Sequence, residues 1–91
     1  MISLEFTYDN CVYNALARIK KNQGLEEYAI TIMNGELEAR LYGEHIFKLR
    51  DGIIVAMDGN DDLHDLKSSI CNALNKNLGK LAEAEYEYWS P

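Results

Sequence analysis

The chain opens on a strict alternation: in ISLEFTY, Ile2, Leu4, Phe6 and Tyr8 fall on one side and Ser3, Glu5 and Thr7 on the other. A two-residue period predicts a half-buried strand. From Asn10 to Gln23 the apolar positions Val12, Ala15, Leu16 and Ile19 recur at helical spacing, with Asn14, Arg18 and Lys21 opposite. This reads as an amphipathic helix capped by Asp9 or Asn10 and stopped by Gly24, its last turn basic to match the dipole.

The middle of the chain carries two turn signals. Asn34-Gly35 separates EEYAITIM from ELEARLY, and Asp51-Gly52 separates EHIFKLR from IIVAMD. Both dipeptides tolerate the positive φ of a type I′ hairpin turn. The first turn predicts Ile32 opposite Leu37, Ile30 opposite Ala39 and Tyr28 opposite Leu41; the second predicts Leu49 opposite Ile54 and Phe47 opposite Ala56. A three-residue turn from Gly43 to His45 gathers these on one face. A two-residue turn at Gly43-Glu44 would bury Lys48, and an unpaired buried ammonium is costly.

A second helix follows, with Leu63, Leu66, Ile70, Ala73, Leu74 and Leu78 as its stripe, Asp65, Ser68, Asn72 and Lys76 on the other side, and Gly79 as its end. In the tail, Ala82, Ala84, Tyr86 and Tyr88 alternate with Glu83, Glu85 and Glu87. The period is that of an edge strand or extended arm, although Ala and Glu are good helix formers.

The expected fold is α+β in the order β-α-β-β-β-β-α: a two-layer sandwich with a four- to five-stranded, mainly antiparallel sheet and both helices on one face. Residues 1–91 are read as a single domain, with 80–91 as the edge strand or arm.

Composition narrows the choice of partner. Fifteen acids against nine bases give a net charge of −6, and the bases are scattered apart from Arg18, Lys20 and Lys21. That balance argues against direct binding to nucleic acid and suits a protein partner with a basic surface. Cys11 and Cys71 have no CxxC spacing and read as packed thiols of a reducing compartment. The N-terminus lacks a basic n-region and an apolar core, and no apolar run has the length of a membrane span, so the expectation is a cytoplasmic protein with no membrane contact.

The densest chemistry is DGNDDLHD at 58–65. A calcium loop fits at Asp58, Asn60 and Asp62, but Leu63 stands where glycine is required and Ser69 where a bidentate glutamate is required. Turn and helix-cap roles account for the acids, with the negative charges favoured at the positive end of a helix dipole. A looser Mg²⁺ or Mn²⁺ site from Asp58, Asp61, Asp62 and His64 is the rival reading. No local motif ties either cysteine to His45 or His64, and no phosphate loop, HExxH or GxSxG is present. We therefore expect no enzyme, no metal and no cofactor.

The same strand registers place Tyr42, Ile46 and Met57 in line on the second sheet face, followed by Arg40, Lys48 and Val55, then by Glu38, Arg50 and Ile53, with Thr31 and Met33 beside them. A solvated face alternates more cleanly, and an apolar patch bordered by charge marks an interaction site. The expected partner-binding residues are Tyr42, Ile46, Ile53, Val55 and Met57 on the sheet, Asp58, Asp61, Asp62 and Asp65 in the acidic turn, and Tyr86, Tyr88 and Trp89 in the tail.

In size and acidity the whole chain resembles phage-encoded antagonists of nucleic-acid-handling host machinery, anti-CRISPR proteins among them. The resemblance implies a viral, non-enzymatic inhibitor that docks on a basic surface of such a partner. Two alternatives stand beside it: a structural homo-oligomer, such as a homodimer, built on the exposed sheet face, and a small metal-dependent enzyme using Asp58, Asp62 and His64.

Overall fold

A computed structural model describes residues 2–22, 25–57, 59 and 61–81. Its elements are β1 (Ile2–Tyr8), β2 (Cys11–Asn22), β3 (Leu25–Ile32), α1 (Gly35–Arg40), β4 (Ile46–Arg50), β5 (Ile53–Ala56), a 3₁₀ turn (Asp61–Leu63) and α2 (His64–Lys76). The strands form a five-stranded antiparallel sheet in sequence order, β1-β2-β3-β4-β5. The α+β class, the antiparallel sheet and the placement of both helices against its apolar face are as expected. Two segments exchange secondary structure, however.

The first exchange is at β2, where helical spacing predicted a helix. The segment supports two periods: Val12, Ala15, Leu16 and Ile19 repeat as a helix, while Tyr13, Ala15, Ala17 and Ile19 alternate as a strand. Asp9 (φ 52°) and Asn10 (φ 62°) both occupy the left-handed region, as a two-residue type I′ turn requires. They return the chain along β1, pairing Tyr8 with Cys11, Phe6 with Tyr13 and Ile2 with Ala17. Asp and Asn enter that region more readily than most residues because their short polar side chains bond locally. The strand solution buries Ala15, Ala17 and Ile19 and leaves Val12 on the outer face.

The second exchange is at ELEARLY, expected as a strand. Asn34 is not in a hairpin turn; its backbone is extended (φ −153°, ψ 117°) and its side-chain oxygen accepts the Leu37 N–H at 3.1 Å as a helix N-cap. Glu36 and Glu38 fill the first turn and Arg40 the last, in the order the helix dipole favours. Leu37 and Leu41, four residues apart, enter the core together, whereas Ala39 is exposed. The predicted pairs Ile32–Leu37, Ile30–Ala39 and Tyr28–Leu41 therefore do not form, and the segment from Gly43 to His45 joins a helix to β4 rather than two strands. Instead β3 pairs with β4, with Tyr28 opposite Phe47. The Asp51-Gly52 hairpin has the predicted register, Leu49 opposite Ile54 and Phe47 opposite Ala56, with φ of 54° and 82° at the turn.

Leu4, Phe6, Ala15, Ala17, Ile30, Phe47 and Ile54 line the inner face and pack with Leu37 and Leu41 of α1 and with Leu66, Ile70 and Leu74 of α2. The sheet is curled so that α2 packs on both outermost strands, β1 and β5. The exposed side of α2 is Asp65, Ser68, Asn72 and Lys76, as its stripe predicted. Leu63 occupies the N-cap position without a side-chain cap, and the acids Asp61 and Asp62 belong to the 3₁₀ turn before it. Gly79 does not end the helical path: after Asn77 a further turn carries Lys80 and buries Leu81. The strand or arm expected from residue 80 therefore does not begin there, and its remainder at 82–91 lies outside the described residues.

Candidate functional site

The outer face of the sheet is the surface that the strand registers leave over. Across it, Lys20, Glu27, Lys48 and Val55 stand in one row, and Arg18, Ala29 and Ile46 in the next. Arg50 and Ile53 face each other beside the Asp51-Gly52 turn. Ile53 is 57 % exposed and Met57 39 %, while Ile46 and Val55 are half-buried. Ile46, Ile53 and Val55 thus share the face expected of them, with Met57 just past the end of β5.

Tyr42 does not join this face. It follows α1, is 83 % exposed and packs edge-on to His45 with ring centroids 6.5 Å apart. Arg40 and Glu38, expected in the same rows, also belong to α1. Arg40 lies over the Tyr8 ring at 5.9 Å, and Glu38 accepts the Ile32 N–H at 2.9 Å, where β4 no longer reaches β3. The other Glu38 oxygen lies 3.0 Å from His45 Nε2, close enough for an ion pair but off the axis of a hydrogen bond. Asp61, Asp62 and Asp65 are exposed at the start of α2. Asp58, Tyr86, Tyr88 and Trp89 lie outside the described residues.

Sequence reasoning missed two features. The first is the gathering of Arg18, Lys20, Lys48 and Arg50 on one face. These bases look scattered along the chain, and only the pairing of β2, β3 and β4 brings them together. Lys48 lies 3.6 Å from Glu27, which leaves bases in excess.

The second is a groove of about 380 Å³ between β5 and α2, lined in part by Met57, Gly59, His64, Lys67, Ser68 and Cys71. At its floor Lys67, 6 % exposed, donates to Glu44 Oε1 at 2.6 Å and to the Met57 carbonyl at 3.3 Å. Gly59 lies so close to the Glu44 carboxylate that a side chain there would collide with it. Lys67 sits on the apolar flank of α2, and nothing in its local spacing announces a distant carboxylate. Burial pushes the Cys71 thiol up, opposed by the Ala56 N–H and by the Lys67 charge. A thiol held neutral is a poor nucleophile.

Cys11, expected to be packed, is instead exposed at the start of β2 because it flanks the Asp9-Asn10 turn. Among the described residues no three His, Cys, Asp or Glu side chains converge as metal ligands, and no helix is long and apolar enough to cross a membrane. No protein-family model matches the chain, and neither the curated proteins nor the solved structures contain a match to it.

Proposed function

We propose that the protein is a non-enzymatic binding module that acts by occupying a partner's surface, with the outer side of the β4–β5 hairpin as its contact and the acidic turn beside it as its steering charge. The observation that carries this reading is the placement of two exposed apolar side chains, Ile53 at the start of β5 and Met57 just past its end, on a strand whose far end leads into Asp61, Asp62 and Asp65. Apolar area supplies binding energy once water is excluded, and an acidic field accelerates encounter with a basic surface. Proteins that handle nucleic acid present such surfaces, and an inhibitor of one is the form of this function that the chain's size and acidity suit.

The test is capture from a cell lysate with the full chain as bait, followed by kinetics on the captured protein. Ile53→Asp is expected to abolish capture. Asp61→Lys with Asp65→Lys is expected to slow association at low salt and leave dissociation nearly unchanged. A captured partner indifferent to all three substitutions would refute the proposed contact.

A further inference from the structure

We infer that the basic outer face docks the acidic end of a second copy of this chain, head to tail. The inference stands on the charge distribution and not on the contact proposed above, so either can fail alone.

The two charged regions lie at opposite ends of the strands. Arg18, Lys20 and Arg50 are exposed, with Lys48 half-buried among them, near the Asp51-Gly52 turn. Glu27 and Asp51 offset only part of this charge. At the other end Asp9 closes the β1–β2 turn, Glu36 begins α1, and Asp61 and Asp65 stand at the start of α2, all exposed. Between Asp9 and Lys20, β2 runs for roughly 35 Å at about 3.3 Å per residue, comparable with the 37 Å long axis of the molecule. At about 0.1 M salt, where the Debye length is about 10 Å, Asp9 and Lys20 at the two ends of β2 do not neutralise each other, and each region remains complementary to the opposite region of a neighbour.

The side chains interleaved with the bases are Ala29, Ile46, Ile53 and Val55. They offer aliphatic contact to a protein and no ring on which a nucleic acid base can stack. Glu27, seated between Lys20 and Lys48, also repels a continuous phosphate chain, whereas separate carboxylates can settle on either side of it. A contact that uses two different surfaces is heterologous and does not close on itself at two copies. The expected assembly is weak, open and sensitive to salt.

Light scattering on the full chain tests this. At high micromolar concentration and low salt, the average mass should rise steadily with concentration and fall back to the monomer at about 0.5 M salt, where screening acts within about 5 Å. Arg18→Glu with Arg50→Glu, and separately Asp61→Lys with Asp65→Lys, should each be monomeric; both pairs are exposed, and circular dichroism verifies folding. Mixing the two variants lets the intact basic face of the Asp→Lys variant meet the intact acidic end of the Arg→Glu variant, and the acidified face of the latter meet the basified end of the former, so the mixture should associate where neither variant does alone. A wild type monomeric under these conditions, a wild type that stops at a closed dimer, or a mixture no heavier than its components overturns the inference. Retention of a single-stranded oligonucleotide by this face, without self-association, overturns it as well.

Discussion

The side-chain amide of Asn75 stands where a further strand would pair with Ile54. Its Oδ1 accepts the Ile54 N–H at 2.8 Å and its Nδ2 donates to the Ile54 carbonyl at 3.0 Å. The same Nδ2 also donates to the Cys71 carbonyl at 2.9 Å, which fixes the amide's orientation. One turn earlier Cys71 meets the Ala56 N–H, and one turn before that Lys67 reaches the Met57 carbonyl. Four helical residues rise about 6 Å and two strand residues about 6.7 Å, so Asn75 and Cys71 keep step with Ile54 and Ala56 of β5, and Lys67 follows at Met57 just past its end. An edge strand with unpaired amides invites pairing with another chain, and α2 covers this one.

Asn75→Ala removes both bonds to Ile54. A loss of about 1–3 kcal/mol is expected in urea unfolding. The Ile54 amide, protected from hydrogen exchange in the wild type, should exchange faster relative to Phe47. Equal protection in both proteins would show that the bonds to Asn75 do not close this edge.

The Lys67–Glu44 pair ties α2 to the segment between α1 and β4. Lys67→Met removes the Lys67 cation from the Glu44 carboxylate and should cost about 3 kcal/mol, toward the low end for a buried pair because Glu44 keeps some contact with water. Lys67→Met with Glu44→Leu should cost less than Lys67→Met alone. A double-mutant cycle with no coupling energy would mean that the two groups contribute independently.

Two glycines should respond to alanine in opposite ways. Gly35 lies in the first turn of α1 with open space where a Cβ would be, so Gly35→Ala should stabilise the protein by about 0.5–1 kcal/mol. Gly52 has φ +82°, and Gly52→Ala should destabilise it by about 1–2 kcal/mol. Destabilisation by Gly35→Ala would return Asn34-Gly35 to the hairpin turn that its sequence suggests.

Burial raises the Cys71 thiol above its ordinary value of 9.0. The folded state then holds the proton where the unfolded state has released it, so stability is kept below the ordinary value and lost as pH rises through the raised one. In a Cys11→Ser background, alkylation of Cys71 should be slow and its rate should rise with pH beyond the range of a free thiol. Thermal stability should fall as pH rises past 9.0, more in this background than after the further change Cys71→Ala. Identical pH profiles would remove the thiol as the cause.

Local pattern was sufficient where only one reading was open. The alternation of ISLEFTY has no helical counterpart, the stripe of α2 has no strand counterpart, and Asp51-Gly52 supplies the only turn that can join its flanks in register. The apolar members of the candidate surface, Ile46, Ile53 and Val55, follow from that one hairpin and were legible for the same reason. Tyr42, by contrast, was assigned through ELEARLY and left the face when that segment became a helix.

CVYNALARIK and ELEARLY each satisfy two periods, so their own residues do not choose between them. The choice depends on which partner buries more apolar surface while satisfying the backbone: β2 gains β1 on one side and β3 on the other, and α1 gains an Asn34 cap with Leu37 and Leu41 in the core. The basic face, the cover over β5 and the Lys67–Glu44 pair are likewise contacts between residues remote in sequence. Sequence by itself determined the amphipathic segments, the acidity and one hairpin register; the tertiary structure decided which segments pair and which charges meet, because burial and strand hydrogen bonding are properties of the assembled sheet.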